Sequence, residues 1–441
     1  MTTPKHIALL TLILSMGCGH KQPVTQSLIQ APLKTQQKPH TSSNWPDAHH
    51  FVVEFQVDDK YGELVIGTGE GSTDYAVDWN NDGIFDEYNL TGEARHHYGK
   101  PGIYTVRLMG EVPHIQLCTR ALDETSHTVL KQQVLDIAQW GAIRWKSMQS
   151  MFAHCNVLTT WSASDHPILT EVTHMSHMFQ GSTAFNQPLN HWDTSHVTHM
   201  DFMFFDASAF NQPLNAWDTS QVTTMRSMFH NATTFNQPLD TWNTSRVTTM
   251  FGMFLKASVF NQPLNTWNTA QVTTMAAMFL DATAFDQPLA QWDVSKVERM
   301  DGMFYQATSF NQPLNNWKTK SIRNINGIFA NARQFNQPLD QWDTSKVTIA
   351  EFMFAGAQAF NQSLASWDVS RVQTMEHALS GSAISAENYD ATLQAWSKLP
   401  EIQEGVKLGA EGLNYCYSVD GRQTLINQYK WQIEHDTFHC E

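Results

Sequence analysis

An unbroken 25-residue spacing in the middle of the chain is the feature that most constrains its fold. Residues 172–379 consist of eight copies of one unit, with no insertion or deletion between them. Three apolar columns result: Phe185, Phe210, Phe235, Phe260, Phe285, Phe310, Phe335 and Phe360; Trp192, Trp217, Trp242, Trp267, Trp292, Trp317, Trp342 and Trp367; and Val197, Val222, Val247, Val272, Val297, Ile322, Val347 and Val372. A single unit is too short to bury so many apolar side chains, whereas stacked units share one continuous core.

The unit at residues 222–246 shows the local structure that the sequence predicts. Residues 222–225 are short and rich in β-branched side chains, which favours a strand. Met225, Met228 and Phe229 follow the i, i+3, i+4 spacing of a helical turn, and Pro238 then forces a bend. We therefore predict a leucine-rich-repeat-like solenoid, built from short parallel strands and short helical turns, for residues 172–379.

A polar column follows the phenylalanine column by one residue. It consists of Asn186, Asn211, Asn236, Asn261, Asn311, Asn336 and Asn361, with Asp286 in the remaining copy. Stacked amides form hydrogen bonds along a column in other parallel stacks, and bends inside a stack must satisfy their backbone groups. We interpret this column as a structural ladder in preference to a binding surface.

The repeat resembles a known bacterial family. The run that begins with Phe-Asn-Gln-Pro-Leu at Phe235 and ends with Met-Phe at Phe254 is similar to the surface leucine-rich repeats named after the BspA adhesin. It is most similar to their Met-Phe-rich variant, a domain of unknown function first noted in mycoplasma lipoproteins. The resemblance covers about half of the chain, and residues 118–171, with Trp140 and Trp145, resemble the N-terminal cap of these repeats. It implies a cell-surface protein, with adhesion as the activity of some relatives.

The N-terminus reads as an export signal followed by a tether. Lys5 and His6 precede an apolar stretch that is too short to span a bilayer, and Cys18 follows Gly17 as in a lipoprotein cleavage site. We predict a lipoprotein-type signal at residues 1–18, lipidation at Cys18, and delivery to the outer membrane or cell surface. The alternative is a conventional signal that leaves Cys18 in the discarded piece. Residues 19–50 are polar and poor in aromatic residues, which predicts a flexible tether.

Two further segments flank the repeats. Residues 51–117 contain alternating apolar runs that predict a small all-β immunoglobulin-like sandwich. Its hairpin at residues 79–83 and its turn and strand at residues 101–106 resemble a PKD-type module, which implies a spacer. Ser385 begins a helical pattern after the last repeat, and residues 380–441 are predicted to form a C-terminal cap.

A loop in the β segment carries oxygen ligands at alternate positions. The candidate calcium ligands are Asp78, Asn80, Asp82 and Asp86. Gly83 supplies the tight turn that such loops need, but Asn89 stands where an EF-hand has its bidentate glutamate. An Asp-Gly pair is also an ordinary hairpin turn, so a purely structural loop is the alternative.

The cysteines fit an exported chain. Removing Cys18 from the five cysteines leaves four, an even number. We expect two disulfides, between Cys118 and Cys155 and between Cys416 and Cys440. The alternative is four free thiols, which suits an oxidising compartment poorly.

The charge balance argues against a nucleic-acid partner. The chain has 27 Lys and Arg against 42 Asp and Glu, a net charge of −15. Binding to a phosphate backbone needs a basic surface, and no basic run of that kind occurs.

The sequence shows no enzyme motif. A nucleophile elbow, a phosphate loop and a zinc-protease signature are all missing from the sequence. Four histidines lie close together in the repeat pattern and form a weak transition-metal candidate: His174, His177, His196 and His199. They lack a cysteine or carboxylate at a convincing spacing, so chance placement on an exposed face is the preferred interpretation.

We therefore predict a non-catalytic, lipid-anchored surface protein. Its solenoid is expected to bind a protein or glycan on another cell, in the matrix or in the envelope, with no cofactor apart from the candidate calcium ion. Membrane contact is expected through the lipid anchor only. The alternatives are a structural envelope spacer without a specific ligand and a hydrolase whose site the sequence does not reveal.

Overall fold

The computed structural model describes residues 49–58, 62–68, 74–112, 114–118 and 132–440. The predicted signal at residues 1–18, Cys18 and most of the predicted tether at residues 19–50 lie outside the described residues. Within the described ranges, no helix is both long enough and apolar enough to cross a lipid bilayer.

The N-terminal part of the fold is an antiparallel β unit. Its strands are β1 (Phe51–Val57), β2 (Glu63–Thr68), β3 (Tyr75–Asp78), β4 (Glu87–Leu90), β5 (Ala94–His97), β6 (Gly102–Gly110), β7 (Ile115–Gln116) and β8 (Gln132–Gln139). One sheet has the order β4-β3-β6-β1-β8 and the other the order β5-β2-β7. Every pairing between these strands is antiparallel. The resemblance to a PKD-type module stays a prediction.

Strand β8 connects this unit to the repeats. It pairs with β1, with Val53 opposite Ile137, although the sequence places residues 118–171 in a separate capping segment. The Phe51 ring then packs against Trp140 and Trp145, with ring centroids 5.7 Å and 5.4 Å away. Trp140 also contacts Trp192 of the first repeat, at 5.7 Å. The hydrophobic core therefore continues from the β unit into the repeats.

The repeats contain isolated bridges where the sequence predicts strands. Residues 25 positions apart pair in parallel along the repeats, and these residues are His174, His199, Thr224, Thr249, Thr274, Arg299, Asn324, Ile349 and Thr374. The pairing does not lengthen into a strand, because a turn closes just before it. In the unit at 222–246, the Val222 amide donates to the Thr219 carbonyl, 3.0 Å away.

The predicted helical turns are also missing from the described repeats. Ser227 and Asn231 have φ angles of 50° and 56°, and an α-helix needs negative φ at every residue. The amides of Ser227 and Asn231 donate to carbonyls of the following repeat, at 2.8 Å and 2.7 Å, instead of bonding within a helix. Met225, Met228 and Phe229 are nevertheless fully buried, so the apolar spacing marks the core without marking a helix.

The predicted fold class is therefore wrong. The two larger sheets are antiparallel and lie between residues 51 and 139, and the regular helices of the described chain lie after the repeats. Residues 172–379 are turns joined by isolated bridges, and no solenoid of regular parallel strands and helical turns is present in them.

Aromatic rings fill the core between successive repeats. Phe204 lies 4.1 Å from Phe210 of its own repeat and 5.5 Å from Phe229 of the next, between ring centroids. Trp217 and Trp242 are stacked at 6.3 Å with an interplanar angle of 3°. All five rings are nearly or fully buried, which is why the 25-residue spacing tolerates no insertion.

The C-terminal segment closes the last repeat. Its elements are α1 (Ala386–Trp396), β9 (Lys407–Gly409), β10 (Asn414–Tyr415), α2 (Val419–Asn427), β11 (Gln432–Glu434) and β12 (Thr437–Phe438). The helix predicted from Ser385 is confirmed, since the Ser385 side chain accepts the Asn388 amide at the N-terminus of α1. A parallel bridge from Met375 to Leu408 continues the repeat pairing into this segment.

Candidate binding groove

An open groove runs along the bridge residues of the repeats. Its volume is about 820 Å³, and it extends from Gln149 to Arg299. The bridge residues that line it are His174, His199, Thr224, Thr249, Thr274 and Arg299. Further side chains come from the positions that follow the bridge in each repeat, where Ser176, Asp201, Arg226 and Phe251 are equivalent.

Arg226 lies between two phenylalanine rings in this groove. Its guanidinium carbon is 5.4 Å from the centroid of Phe202 and 5.0 Å from that of Phe251. The other side of Phe202 is covered by His177, with ring centroids 4.8 Å apart and 9° between the planes. A cation near aromatic faces is stabilised electrostatically, so the stack holds the guanidinium in place.

The backbone of the repeat positions the Phe202 ring. Phe202 and His177 have φ angles of 56° and 61°, in the left-handed region that bulky residues rarely adopt. Gly252 and Gly302 occupy the same position in later repeats, where they also have positive φ. The conformation thus belongs to the repeat backbone, and large side chains are accepted in this column against a local conformational cost.

The charge of Arg226 is not neutralised within the described part of the chain. No carboxylate there forms an ion pair with it, and its Nε is buried without a hydrogen-bond partner. The neighbouring Asp201 uses Oδ1 to accept the Arg226 backbone amide at 3.0 Å and the Thr224 hydroxyl. In contrast, Arg299 forms two hydrogen bonds with the Asp301 carboxylate, at 3.0 Å and 2.8 Å.

The structure brings three of the four candidate histidines to the groove. His174 and His199 are stacked with centroids 4.3 Å apart, and His177 lies beside Phe202. Burial, and then the neighbouring His199, lower the pKa of His174. His196 is outside the groove and contacts Ser195. In the described ranges, no group of three or more His, Cys, Asp or Glu is placed to hold a metal ion.

The candidate calcium ligands lie in one loop of the β unit. They are Asp78, Asn80, Asp82 and Asp86, and their side chains bond to the loop itself. The buried Asp78 accepts the Gly83 amide at 2.9 Å, and Asp86 accepts the Trp79 amide at 2.8 Å. Arg107 approaches Asp78 to 4.0 Å. Calcium binding at this loop stays a prediction.

Both disulfides are present with the expected pairing. Cys118 is bonded to Cys155, with Cα atoms 5.3 Å apart, and Cys416 to Cys440, with Cα atoms 5.0 Å apart. The first joins the end of the β unit to the start of the repeats, and the second joins the end of the chain to the segment before α2.

The sequence interpretation did not single out Arg226, Phe202 and Phe251. A usable signal exists, because the position of Arg226 and Phe251 is among the most variable in an otherwise strict repeat. It holds Asp201 one repeat earlier and Ala276 one repeat after Phe251. Charged and aromatic residues at a variable position, flanked by invariant core positions, indicate a surface with its own role.

Comparison with known proteins identifies the repeats and leaves their role open. No curated protein matches the chain. The model of one family matches four overlapping segments, at residues 146–258, 214–303, 238–333 and 289–396, which together extend over more than half of the 441 residues. The chain therefore belongs to the family described as Mycoplasma protein of unknown function, DUF285.

Proposed function

We propose that this chain is a non-catalytic binding protein of the cell surface, anchored through lipidated Cys18, whose repeat region attaches to a protein or glycan on another cell, in the matrix or in the envelope. The observation that carries the proposal is the groove, in which Arg226 is held between Phe202 and Phe251 without an internal ionic partner. Its length along six bridge residues suits an extended ligand.

The composition of the groove supports binding. Arginine and aromatic residues are enriched in the residues that contribute most to protein recognition, because they combine large contact area with directed polar groups. Thr224, Thr249 and Thr274 add hydroxyl groups along the same line. The groove therefore offers a ligand both hydrogen-bonding groups and contact area.

The disulfides support the surface location. Disulfides form and persist in oxidising compartments, and the Cys118–Cys155 and Cys416–Cys440 bonds fit an exported chain. Export agrees with the signal expected at residues 1–18, and the likeness to adhesin-type repeats agrees with attachment.

An attachment assay with two matched charge reversals tests the proposal. Cells that display the full chain are compared with cells displaying Arg226→Glu and Arg246→Glu, at equal surface amounts measured by antibody labelling. Arg246 is exposed and bonds to Gln221, away from the groove lining. Attachment to matrix-coated surfaces and neighbouring cells should fall with Arg226→Glu and persist with Arg246→Glu. Equal attachment by all three, and by cells without the chain, would favour the spacer function instead.

A further inference from the structure

The groove also indicates the chemical class of its ligand. Resting on the function proposed above, we propose that it binds an acidic polysaccharide, with a sugar carboxylate on the Arg226 guanidinium and sugar hydroxyls on the neighbouring threonine and histidine side chains. Three features point to this class: the unpaired charge of Arg226, the two phenylalanine rings beside its guanidinium, and the polar groups that remain open to a ligand.

Arg226 is a positive charge of the groove lining without an ion-pair partner among the described residues. Asp201 already accepts two hydrogen bonds through Oδ1, and Glu298 lies 3.9 Å from the Arg323 side chain. Arg299 is held by Asp301. Arg226 has no such partner among the described residues, and its Nε is buried without an acceptor. An anionic group on the ligand would pair with the charge of this guanidinium.

The stack favours a planar anion. The Arg226 guanidinium carbon lies over the Phe202 and Phe251 rings, and these two contacts restrict the movement of the group. A guanidinium edge matches a carboxylate with two parallel hydrogen bonds, and restricting the group in advance reduces the entropy lost on binding. A carboxylate is therefore the anion that this arrangement fits best.

The remaining groups favour a sugar chain over a peptide. Peptides that add to a sheet need unpaired backbone groups, but the groove backbone bonds between repeats, as between the Ser227 amide and the Phe251 carbonyl at 2.8 Å. The Phe202 faces are already covered by His177 and Arg226, so this ring offers no open face to an aromatic side chain. Hydroxyl and imidazole groups both donate and accept hydrogen bonds, as sugar hydroxyls do.

Threonine hydroxyls continue beyond Arg226 at the repeat spacing. Thr249 and Thr274 lie on the groove and accept backbone amides of their own repeats, at 3.4 Å and 3.3 Å. No acceptor for their hydroxyl protons occurs among the described residues, so each can donate to a ligand. On the other side of Arg226, the stacked rings of His174 and His199 extend the polar line.

Calorimetric titration of the purified full chain in detergent tests this inference. The probes are polygalacturonate, neutral dextran and poly-glutamate at equal ionic strength. Polygalacturonate should bind, and Arg226→Ala should weaken binding about 10- to 100-fold, the range expected for a lost hydrogen-bonded charge. Arg226→Lys should give an intermediate loss of affinity, since lysine keeps the positive charge but cannot donate two parallel hydrogen bonds to one carboxylate. Arg246→Ala is the matched control and should leave the affinity unchanged.

A second variant tests the inference independently, in case Arg226→Ala impairs folding. Thr249→Val removes one groove hydroxyl with little change of shape and should weaken polygalacturonate binding several-fold, since each lost hydrogen bond contributes about 1 kcal/mol. Thermal unfolding of each variant identifies any that fails to fold. The inference is contradicted if the Arg226→Ala and Arg246→Ala variants lose equal affinity for polygalacturonate. It is also contradicted if neither Thr249→Val nor Arg226→Ala has any effect.

The probes separate the ligand class from the proposed function. Binding of dextran as tight as that of polygalacturonate excludes carboxylate recognition, and preference for poly-glutamate assigns the groove to acidic peptides instead. If Arg226→Glu abolishes cell attachment while polygalacturonate does not bind, the ligand class fails and the binding function stands. If polygalacturonate binds through Arg226 while attachment is unaffected, the site stands and the attachment function fails.

Discussion

The indole N–H of Trp242 donates a 2.9 Å hydrogen bond to the carbonyl of Leu214, 28 residues earlier in the chain. The same bond recurs for every repeat tryptophan after the first, that is for Trp217, Trp242, Trp267, Trp292, Trp317, Trp342 and Trp367. Each of these rings thus fills the core of one repeat and satisfies a buried backbone group of the preceding repeat.

Replacing one of these tryptophans should show the value of this hydrogen bond. Trp267→Phe removes the donor and leaves the Leu239 carbonyl unsatisfied in the core, which should cost about 1–3 kcal/mol beyond the loss of ring volume. Urea denaturation followed by circular dichroism measures the change. Trp192→Phe is the control, because the Trp192 indole is buried and has no acceptor within the described chain. If both variants lose the same stability, the hydrogen bond makes no separate contribution.

The buried columns could be predicted from the sequence and the backbone could not. Phe235 and Trp242 are buried as their 25-residue spacing indicates, because volume and apolarity are properties of the side chain. The backbone conformation of Ser227 could not be predicted in this way, because a serine side chain gives no indication of a φ angle of 50°. The helical spacing around it was therefore misleading, because inter-repeat hydrogen bonds outweigh local propensity.

The candidate site was predictable only in part. The cysteine count and the expected export signal predicted both disulfides, because pairing has few solutions with four cysteines. The Arg226 stack joins side chains from three repeats, and the sequence does not show which of several variable positions face the same groove. The asparagine column was interpreted correctly as structural, although its amides bond to backbone and glutamine instead of to one another.

Each position of the asparagine column should require only a side-chain hydrogen-bond acceptor, and not the amide N–H donors. Asn336 Oδ1 accepts the Asn361 backbone amide at 2.8 Å and the Gln362 side chain at 2.9 Å. Asp286 makes the equivalent two bonds with its carboxylate, so Asn336→Asp should change stability by less than about 0.5 kcal/mol. Asn336→Leu has a similar shape without the acceptor and should cost about 1–3 kcal/mol. Urea midpoints compare the two, and equal losses would show that the amide donors matter as well.

Acidification should destabilise the fold through His230. Burial beside Phe205 lowers the pKa of His230 from 6.5 to about 4, with Asp206 opposing the shift and Lys256 adding to it. A depressed histidine pKa means that the unfolded chain binds the proton more tightly. The free energy of unfolding therefore keeps its full value above pH 6.5 and decreases as the pH falls towards 4. The decrease is at most about 3 kcal/mol, and it is smaller for a partly exposed ring.

Thermal unfolding between pH 7 and pH 4.5 tests this dependence. The melting temperature should fall on acidification, and His230→Phe should flatten the fall by removing the titrating group. His439→Gln changes an exposed histidine and should keep the dependence of the unmodified chain. A His230→Phe variant that loses stability as steeply as the unmodified chain would assign the acid sensitivity to other groups.

The buried ion pair of the C-terminal segment should matter far more than an exposed one. Arg422 forms two hydrogen bonds with Asp436, at 2.8 Å and 2.7 Å, and Tyr389 donates to the same carboxylate at 3.2 Å. The Asp436 side chain is only 1% exposed, so Asp436→Asn leaves a poorly compensated charge and should cost about 3–5 kcal/mol. Glu376→Gln is the matched control, because Glu376 pairs with Lys407 at 3.5 Å with both side chains 47% exposed, and it should cost less than about 1 kcal/mol. Urea denaturation with both disulfides intact measures each change, and equal costs would mean that Asp436 is solvated in solution.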